Sequence, residues 1–292
     1  MGGAELFSSK PLLAVAIQTY NEAWQQWDTT QCTGGIYWSR DRSPTNLKQG
    51  YKSAITNSQH MMLGARLYIL TKDPVYIVNA KLVYSWLRQG LINQQDWSVR
   101  DGVDGNQGCG MNIDVHSYNS GILLGALGWL FKATNDPAWL SDGSKILART
   151  LATFSSSGII FDPCEPNCAQ NSVQAKGTMI RGLGYYASFT NSQQDKQSIR
   201  SVLGTSLTKM AGSCDQNGNC PAVWTTPSQG YNFHTQMVAL ELVNAYTNSI
   251  NGPSTASFAP PTTLVEPTKS AGIVSMSSIS MVIALVAAVL IM

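Results

Sequence analysis

The sequence predicts an all-α protein whose helical hairpins are set in a ring, an α/α toroid of the (α/α)6 type. Two observations carry that expectation. Eight segments repeat apolar residues at helical spacing, and the connections between them alternate between tight turns and long loops rich in Gly and aromatic residues. The first segment, Lys10 to Asp28, sets Leu13, Ala16, Ile17, Tyr20, Trp24 and Trp27 on one face. Lys52 to Thr71 and Pro74 to Leu91 follow, then Ser117 to Thr134 and Pro137 to Phe154. Ser172 to Thr190, Ser192 to Ala211 and Phe233 to Ser249 complete the series. Two starts carry an Asp-Pro step, Asp73-Pro74 and Asp136-Pro137. There Asp caps free backbone N–H groups, and Pro sits in the first turn, where its missing N–H costs nothing. The long loops read CTGGIYWSRDRSP, DWSVRDGVDGNQGCGMN, GIIFDPCEPNCAQ and CDQNGNCPAVWTTPSQGYNF. Because they alternate with tight turns, one end of the ring carries them all.

Composition narrows the function classes. Only 12% of the 292 residues are charged, against about a quarter in an average soluble domain, while 43% are hydrophobic and eight are Trp. Disorder is excluded for most of the chain. Nineteen basic and 17 acidic residues leave a net charge of +2, and no Lys/Arg-rich run exists to neutralise a phosphate backbone, so nucleic acid is not an expected partner. The polar surface is built from Asn, Gln, Ser and Thr, which suits an extracellular protein meeting neutral, hydroxyl-rich ligands.

The two ends of the chain pull in different directions. Met281 to Met292 reads MVIALVAAVLIM, too short for the roughly 20 apolar residues of a membrane-spanning helix. Small residues at Ser270, Ala271 and Gly272, a weakly polar spacer and this tail together fit a GPI-attachment signal over residues 271–292, with Ser270 as the attachment residue. Residues 251–270, rich in Pro, Ser and Thr, read as an extended stalk. Such a signal acts only on a chain in the secretory pathway. Met1 to Gln18, however, shows no basic start, apolar core and small-residue cleavage site. The expectation is a chain that lacks its true N-terminus, with residues 1–250 forming the folded domain.

Six cysteines, Cys32, Cys109, Cys164, Cys168, Cys214 and Cys220, include no C-x2-C pair. Neither a metal nor a cofactor is therefore expected. Cys164 and Cys168 bracket EPN, and Cys214 and Cys220 bracket DQNGN; both are turn-rich intervals whose ends must approach. That leaves Cys32 with Cys109, one pairing among the fifteen possible, in keeping with an oxidising route.

Candidate chemistry lies in the loops. Tyr37 and Trp38 follow two glycines in GGIYWSRD, where an exposed aromatic can meet the C–H face of a sugar ring. Asp101 and Asp104 stand among glycines in RDGVDGNQG; paired carboxylates serve glycoside hydrolysis, whereas Asp-Gly steps also form ordinary turns. Both readings stay open, as does packed core for Trp38. There is no P-loop, G-x-G-x-x-G, G-x-S-x-G or H-E-x-x-H. His60 reads as a satisfied helix residue, His116 as one able to reach the loop face, and His234 as the opening of the last helix.

Taken in order, GGIYW, YKSAITNSQ (Tyr51 to Gln59), DGVDGNQGC (Asp101 to Cys109), SYNSGILLGAL (Ser117 to Leu127), AKGTMIRGLGYY and HTQMVALELV resemble the fungal members of glycoside hydrolase family 76. Those are GPI-anchored endo-1,6-α-mannosidase-like proteins of the cell surface. The resemblance, from about Ala4 to Ala245, implies an α/α toroid, α-1,6-linked mannose chains as substrate, and retaining chemistry by two carboxylates. It also implies a transglycosylase role in which a mannose-containing GPI glycan is cut and its protein moved onto wall glucan. The family's loops agree with the three cysteine pairs. Its catalytic residues are two consecutive aspartates in a stretch like DDQAFWG, leading into a segment like the AEL at Ala4 to Leu6. No Asp-Asp pair occurs in this chain; the expectation is that the pair lies before Met1 with the signal peptide, leaving the toroid incomplete at its N-terminus. By the same resemblance Trp38, Lys52, Asn57, Asp101, Asp104, Tyr118, Asn119, Lys176 and Gln236 line or support a sugar groove.

Two functional readings follow. One is a mannan endo-1,6-α-mannosidase or transmannosidase of cell-wall biogenesis, monomeric and held at the plasma membrane or wall by a GPI anchor, inactive over these 292 residues. The other is a non-catalytic mannan-binding or wall-structural protein, and beside both stands a destabilised fragment without function, since removing early helices from a closed ring exposes the core faces of their neighbours.

Overall fold

The computed structural model describes residues 1–169, 172–225 and 230–251. The terminal apolar segment, Ser270 and all but the first residue of the stretch read as a stalk lie outside the described residues. Nine α-helices occur among those described: α1 (Gly2–Phe7), α2 (Lys10–Trp24), α3 (Ala54–Thr71), α4 (Val75–Gly90), α5 (Ser117–Thr134), α6 (Ala138–Phe154), α7 (Ala175–Phe189), α8 (Gln193–Ala211) and α9 (Phe233–Asn251). The helix starts follow the local chemistry. Asp73 Oδ1 accepts from Val75 N at 3.0 Å and Asp136 Oδ1 from Ala138 N at 3.0 Å; Ser192 Oγ accepts from Asp195 N at 3.2 Å. Lys72 and Asn135, at φ +63° and +57°, close α3 and α5 in the left-handed conformation.

Tight turns join α3 to α4, α5 to α6 and α7 to α8, so each pair is an antiparallel hairpin. Helices α3, α5, α7 and α9 pack side by side in that order as an inner layer; α2 and α4 lie on α3, α6 on α5, and α8 on α7 and α9. This layering explains their sequences. Helix α5 sits between two inner neighbours and is apolar all round, burying Leu123, Leu124, Leu127 and Leu130, whereas outer α4 leaves Val75, Val78 and Leu82 exposed. Helices α5 and α7 approach until their backbones touch. A methyl group on Gly121 would overlap the Met179 backbone, one on Gly182 would overlap the Gly121 carbonyl, and one on Gly128 would lie 3.0 Å from Tyr186 Cα. Glycine is needed there for space.

The structure adds elements that helical periodicity does not announce. Strands β1 (Tyr51–Ser53), β2 (Arg100–Asp104) and β3 (Gly110–Val115) form an antiparallel sheet in the order β1-β2-β3, with Lys52 opposite Val103 and Gly102 opposite Asn112. A small hairpin, β4 (Ser155–Ser156) and β5 (Ile159–Ile160), follows α6. Lys52 and Ser53, expected as the first helical residues, are strand; Ser53 then caps α3, accepting from Thr56 N at 3.3 Å. Helix α2 ends at Trp24, and Trp27 instead bridges to Ile36. Helix α9 runs through Asn251, the first residue assigned to the stalk.

Candidate functional site

Because tight turns join each inner helix to the next outer one, every inner helix begins at the same end, the end that carries the four long loops and the three-stranded sheet. Side chains at the starts of α3, α5, α7 and α9 therefore meet there.

At α3, Lys52 is wholly buried. Its Nζ donates to the carbonyls of Asp28 (2.7 Å), Gln31 (2.6 Å) and Gly34 (2.8 Å) and lies 3.2 Å from Asp28 Oδ2. Burial pushes the Lys52 ammonium below its ordinary pKa, with the Asp28 carboxylate opposing. Burial alone would raise Asp28, but hydrogen bonds from Thr30 and Tyr37 and the Lys52 contact hold its carboxyl well below the usual range. Asn57 continues the clasp, accepting from Ile36 N at 2.9 Å and donating to Ile36 O at 3.1 Å and Ser53 O at 2.8 Å. A Cys32–Cys109 disulfide and a bond from Trp86 Nε1 to Cys32 O (2.9 Å) fix the loop further. Lys52 and Asn57 thus spend their polar atoms on residues 28–36 and on the Ser53 carbonyl, and act as supports. The loop they hold delivers Trp38, 54% exposed, with its backbone N–H on Tyr51 O at 2.8 Å.

At α5, Asp101 of β2 collects four donors. Tyr51 Oη donates to Oδ2 at 2.5 Å and Asn119 Nδ2 to Oδ1 at 2.9 Å; Tyr118 Oη is 3.2 Å from Oδ1, and Asn112 Nδ2 is 3.4 Å from Oδ2. Burial and the neighbouring Asp101 charge raise the phenols of Tyr51 and Tyr118, so both remain hydrogen-bond donors. Asn119 is fully buried, and among the described residues its Oδ1 has no partner. His116 precedes α5 and stacks on Tyr118, ring centroids 5.2 Å apart. Asp104 is different: it caps a 3-10 turn over Gly105–Gln107, accepting from Asn106 N at 2.9 Å. One motif thus contains a turn former and a carboxylate hub. Tyr51 and Asn112, absent from the expected groove residues, are brought to Asp101 by strand pairing.

At α7, Lys176 is buried against Glu165 Oε1 (2.7 Å) and the Ala222 carbonyl, with its ammonium 3.8 Å from the Trp224 ring centre. Burial moves both partners toward neutrality, raising Glu165 and lowering Lys176, while their mutual attraction opposes each shift. Asp162 accepts from Ser117 Oγ at 2.5 Å. At α9, Gln236 accepts from Cys220 N at 3.3 Å and donates to Cys220 O at 3.0 Å, pinning the Cys214–Cys220 loop. Lys176 and Gln236, like Lys52, tie loops down. The remaining disulfide is Cys164–Cys168, so the pairing expected from the loops is the one formed. His60 lies in the core, stacked on Tyr20 and Trp24, and burial lowers its pKa to about 4. Asp162, Cys164 and Cys168 come together, but the disulfide removes both thiolates as metal ligands.

Comparisons with known proteins bear on the family and the fold. A mannan endo-1,6-alpha-mannosidase of Candida albicans is 30% identical over 252 residues, covering 80% of this chain and 55% of its own. A putative mannan endo-1,6-alpha-mannosidase of Schizosaccharomyces pombe is 32% identical over 185 residues, covering 61% and 41%. The chain spans about half the length of the curated relatives it matches. Among solved structures, the alpha-1,6-mannanase of Salegentibacter sp. superposes with a TM-score of 0.75 at 21% identity, over 84% of this chain and 72% of that one. The Dfg5 protein of Chaetomium thermophilum in complex with glucosamine gives 0.69 at 26% identity, over 80% and 60%. An inactive variant of the Salegentibacter enzyme, with Asp→Asn substitutions at two consecutive positions, is in complex with alpha-1,6-mannotriose. Residues 4–257 match the sequence profile of Glycosyl hydrolase family 76, and with that match the chain belongs to this family.

Proposed function

We propose that the loop face binds α-1,6-linked mannose chains, on mannan or on a GPI glycan, and serves a mannan endo-1,6-α-mannosidase or transmannosidase of fungal cell-wall biogenesis. The observation that carries this reading is the Asp101 cluster beside the exposed Trp38. Asp101 takes the protons of the Tyr51 and Tyr118 phenols, which leaves the phenol oxygens as acceptors for sugar hydroxyls, and an indole face packs against ring C–H groups. Trp38 and Tyr118 take the ligand, Asp101 and the buried Asn119 hold Tyr118 and Tyr51 in place for it, and Lys52, Asn57, Asp104, Lys176 and Gln236 set the loops.

The 292 residues hold no Asp-Asp pair, and Asp101 is committed to four donors of its own. Over these residues the protein therefore binds α-1,6-mannotriose without hydrolysing it. Calorimetry and a reducing-sugar assay test this together: binding lost in Asp101→Asn with no turnover in either form is expected. Turnover that disappears on Asp101→Asn would make Asp101 a catalytic carboxylate and overturn the assignment. The missing pair also favours a second reading, a mannan-binding wall protein without catalysis. Under either reading the domain acts as a monomer, carried on a stalk that begins after Asn251 and runs to residue 270, and anchored through a GPI group at Ser270 in place of residues 271–292. Release from intact cells by a phosphatidylinositol-specific phospholipase, abolished by Ser270→Trp, is the outcome that supports the anchor.

A further inference from the structure

The rim of the loop face carries charge that the sugar reading does not use. Arg40, Arg42 and Lys48 lie in the loop after Trp38, and all three are exposed. Arg40 is paired with Glu22 at 2.9 Å. The other acidic groups near them are occupied: Asp28 by Lys52, Tyr37 and Thr30, Asp101 by Tyr51 and its neighbours, and Asp41 by the Ser43 N–H at 2.9 Å. Among the described residues Arg42 and Lys48 have no carboxylate partner.

Both cations are nevertheless held in place. The Arg42 guanidinium lies 3.3 Å from the centre of the Tyr37 ring, and the Lys48 ammonium 4.5 Å from that of Tyr51. The rings are themselves fixed, Tyr37 by its 2.6 Å bond to Asp28 Oδ2 and Tyr51 by Asp101. The backbone between the cations is stitched internally: Asn46 Nδ2 donates to Asp41 O at 2.7 Å, Asn46 Oδ1 accepts from Lys48 N at 3.0 Å, and Tyr51 N donates to Lys48 O at 3.1 Å. Tyr37 is the residue before Trp38, and Tyr51 bonds both the Trp38 backbone and the Asp101 carboxylate. Two cations without an ion-pair partner among the described residues therefore sit on the aromatic residues that frame the proposed sugar site.

We infer that Arg42 and Lys48 form an anion subsite, and that the ligand of this face is an α-1,6-mannose chain bearing a phosphate ester. The inference rests on the sugar reading above and specifies its substrate class. A phosphate oxygen offers Arg42 and Lys48 the acceptors that the protein withholds, and at an exposed rim that attraction is sensitive to salt.

The test is calorimetry on the full chain with α-1,6-mannotriose, the same trisaccharide carrying a phosphate monoester, and inorganic phosphate alone. The phosphorylated sugar is expected to bind about five- to tenfold more tightly than the neutral one at 50 mM salt. That ratio should fall toward one at 500 mM salt and in the Arg42→Gln/Lys48→Gln variant. Two diester ligands, one ending in an ammonium and one in a neutral sugar, then separate an anchor-type glycan from a mannan side chain. A ratio of one in the unaltered protein, a ratio kept in the double variant, or equally tight inorganic phosphate would overturn the subsite. Failure of neutral mannotriose to bind would overturn the sugar reading separately, whatever the charge dependence.

Discussion

Replacing Lys52 with Met keeps most of the side-chain volume and deletes one buried charge. The ammonium lies at the start of α3, where a positive charge opposes the helix dipole by about 0.3–1 kcal/mol, so its removal should slightly favour the helix itself. The loop decides the sign. Three carbonyls and one carboxylate oxygen converge on Nζ within 3.2 Å, with the lysine side chain fully buried and that of Asp28 only 19% exposed. Leaving buried acceptors without a donor costs about 1–3 kcal/mol each when nothing replaces it, and breaking a buried pair costs about 3–5. Asp28 retains Thr30, Tyr37 and the Gln31 N–H as donors, which holds the total to the middle of the range for a broken buried pair, about 4 kcal/mol. For a domain of this size that is a fall in Tm of about 10 °C. Urea and thermal unfolding of Lys52→Met under non-reducing conditions measure it, and adding Asp28→Asn should restore about 1 kcal/mol by removing the uncompensated acid. A loss below about 1 kcal/mol would show that the carbonyls find water, and that the lysine does not organise the loop.

Gly182→Ala should cost at least the 1–3 kcal/mol of an overpacked core, about the upper end, because the methyl meets the Gly121 backbone and no side chain can rotate away. Gly90→Ala, at a helical glycine with nothing within 4 Å, should be neutral or stabilise by up to about 1 kcal/mol; similar urea midpoints for the two would refute the packing argument. His60 makes stability acid-sensitive. Its folded pKa, about 4, lies below the ordinary 6.5, so the unfolded chain binds the extra proton. The stabilisation is complete above pH 6.5 and is lost as pH falls toward 4, by about 3 kcal/mol in all. Unfolding free energies from pH 7 to 4, compared with those of His60→Gln, should show this extra slope in the unaltered protein alone, and parallel curves would contradict it.

The helical frame was legible because its signals are local. Asp73-Pro74 and Asp136-Pro137 cap their helices as capping chemistry requires, and the three tight turns follow from the break in apolar spacing. The sheet was not legible: β1 has three residues, and its pairing with β2 joins positions about fifty apart. That pairing also separates the two aspartates of RDGVDGNQG. A register irregularity between Arg100 and Gly102 accompanies Asp101 facing α5, while Asp104, three residues on, caps a turn. Nothing in the motif distinguishes them. The lysines were hidden for a related reason, since Lys52 and Lys176 bind carbonyls from loops 18 to 46 residues away, and a carbonyl leaves no mark on composition. Short-range turn chemistry did suffice for Cys164–Cys168 and Cys214–Cys220, which left Cys32 to Cys109.

The common direction of the inner helices also sets the route by which the chain departs. Helix α9 starts at the loop face and runs 19 residues to Asn251, a rise of about 28 Å. The polypeptide leaves from the opposite pole. The end of α9 thus lies about 28 Å along the helix axis from the loop face that carries Trp38 and Asp101, so a group attached at Asn251 and a ligand on that face would occupy opposite poles.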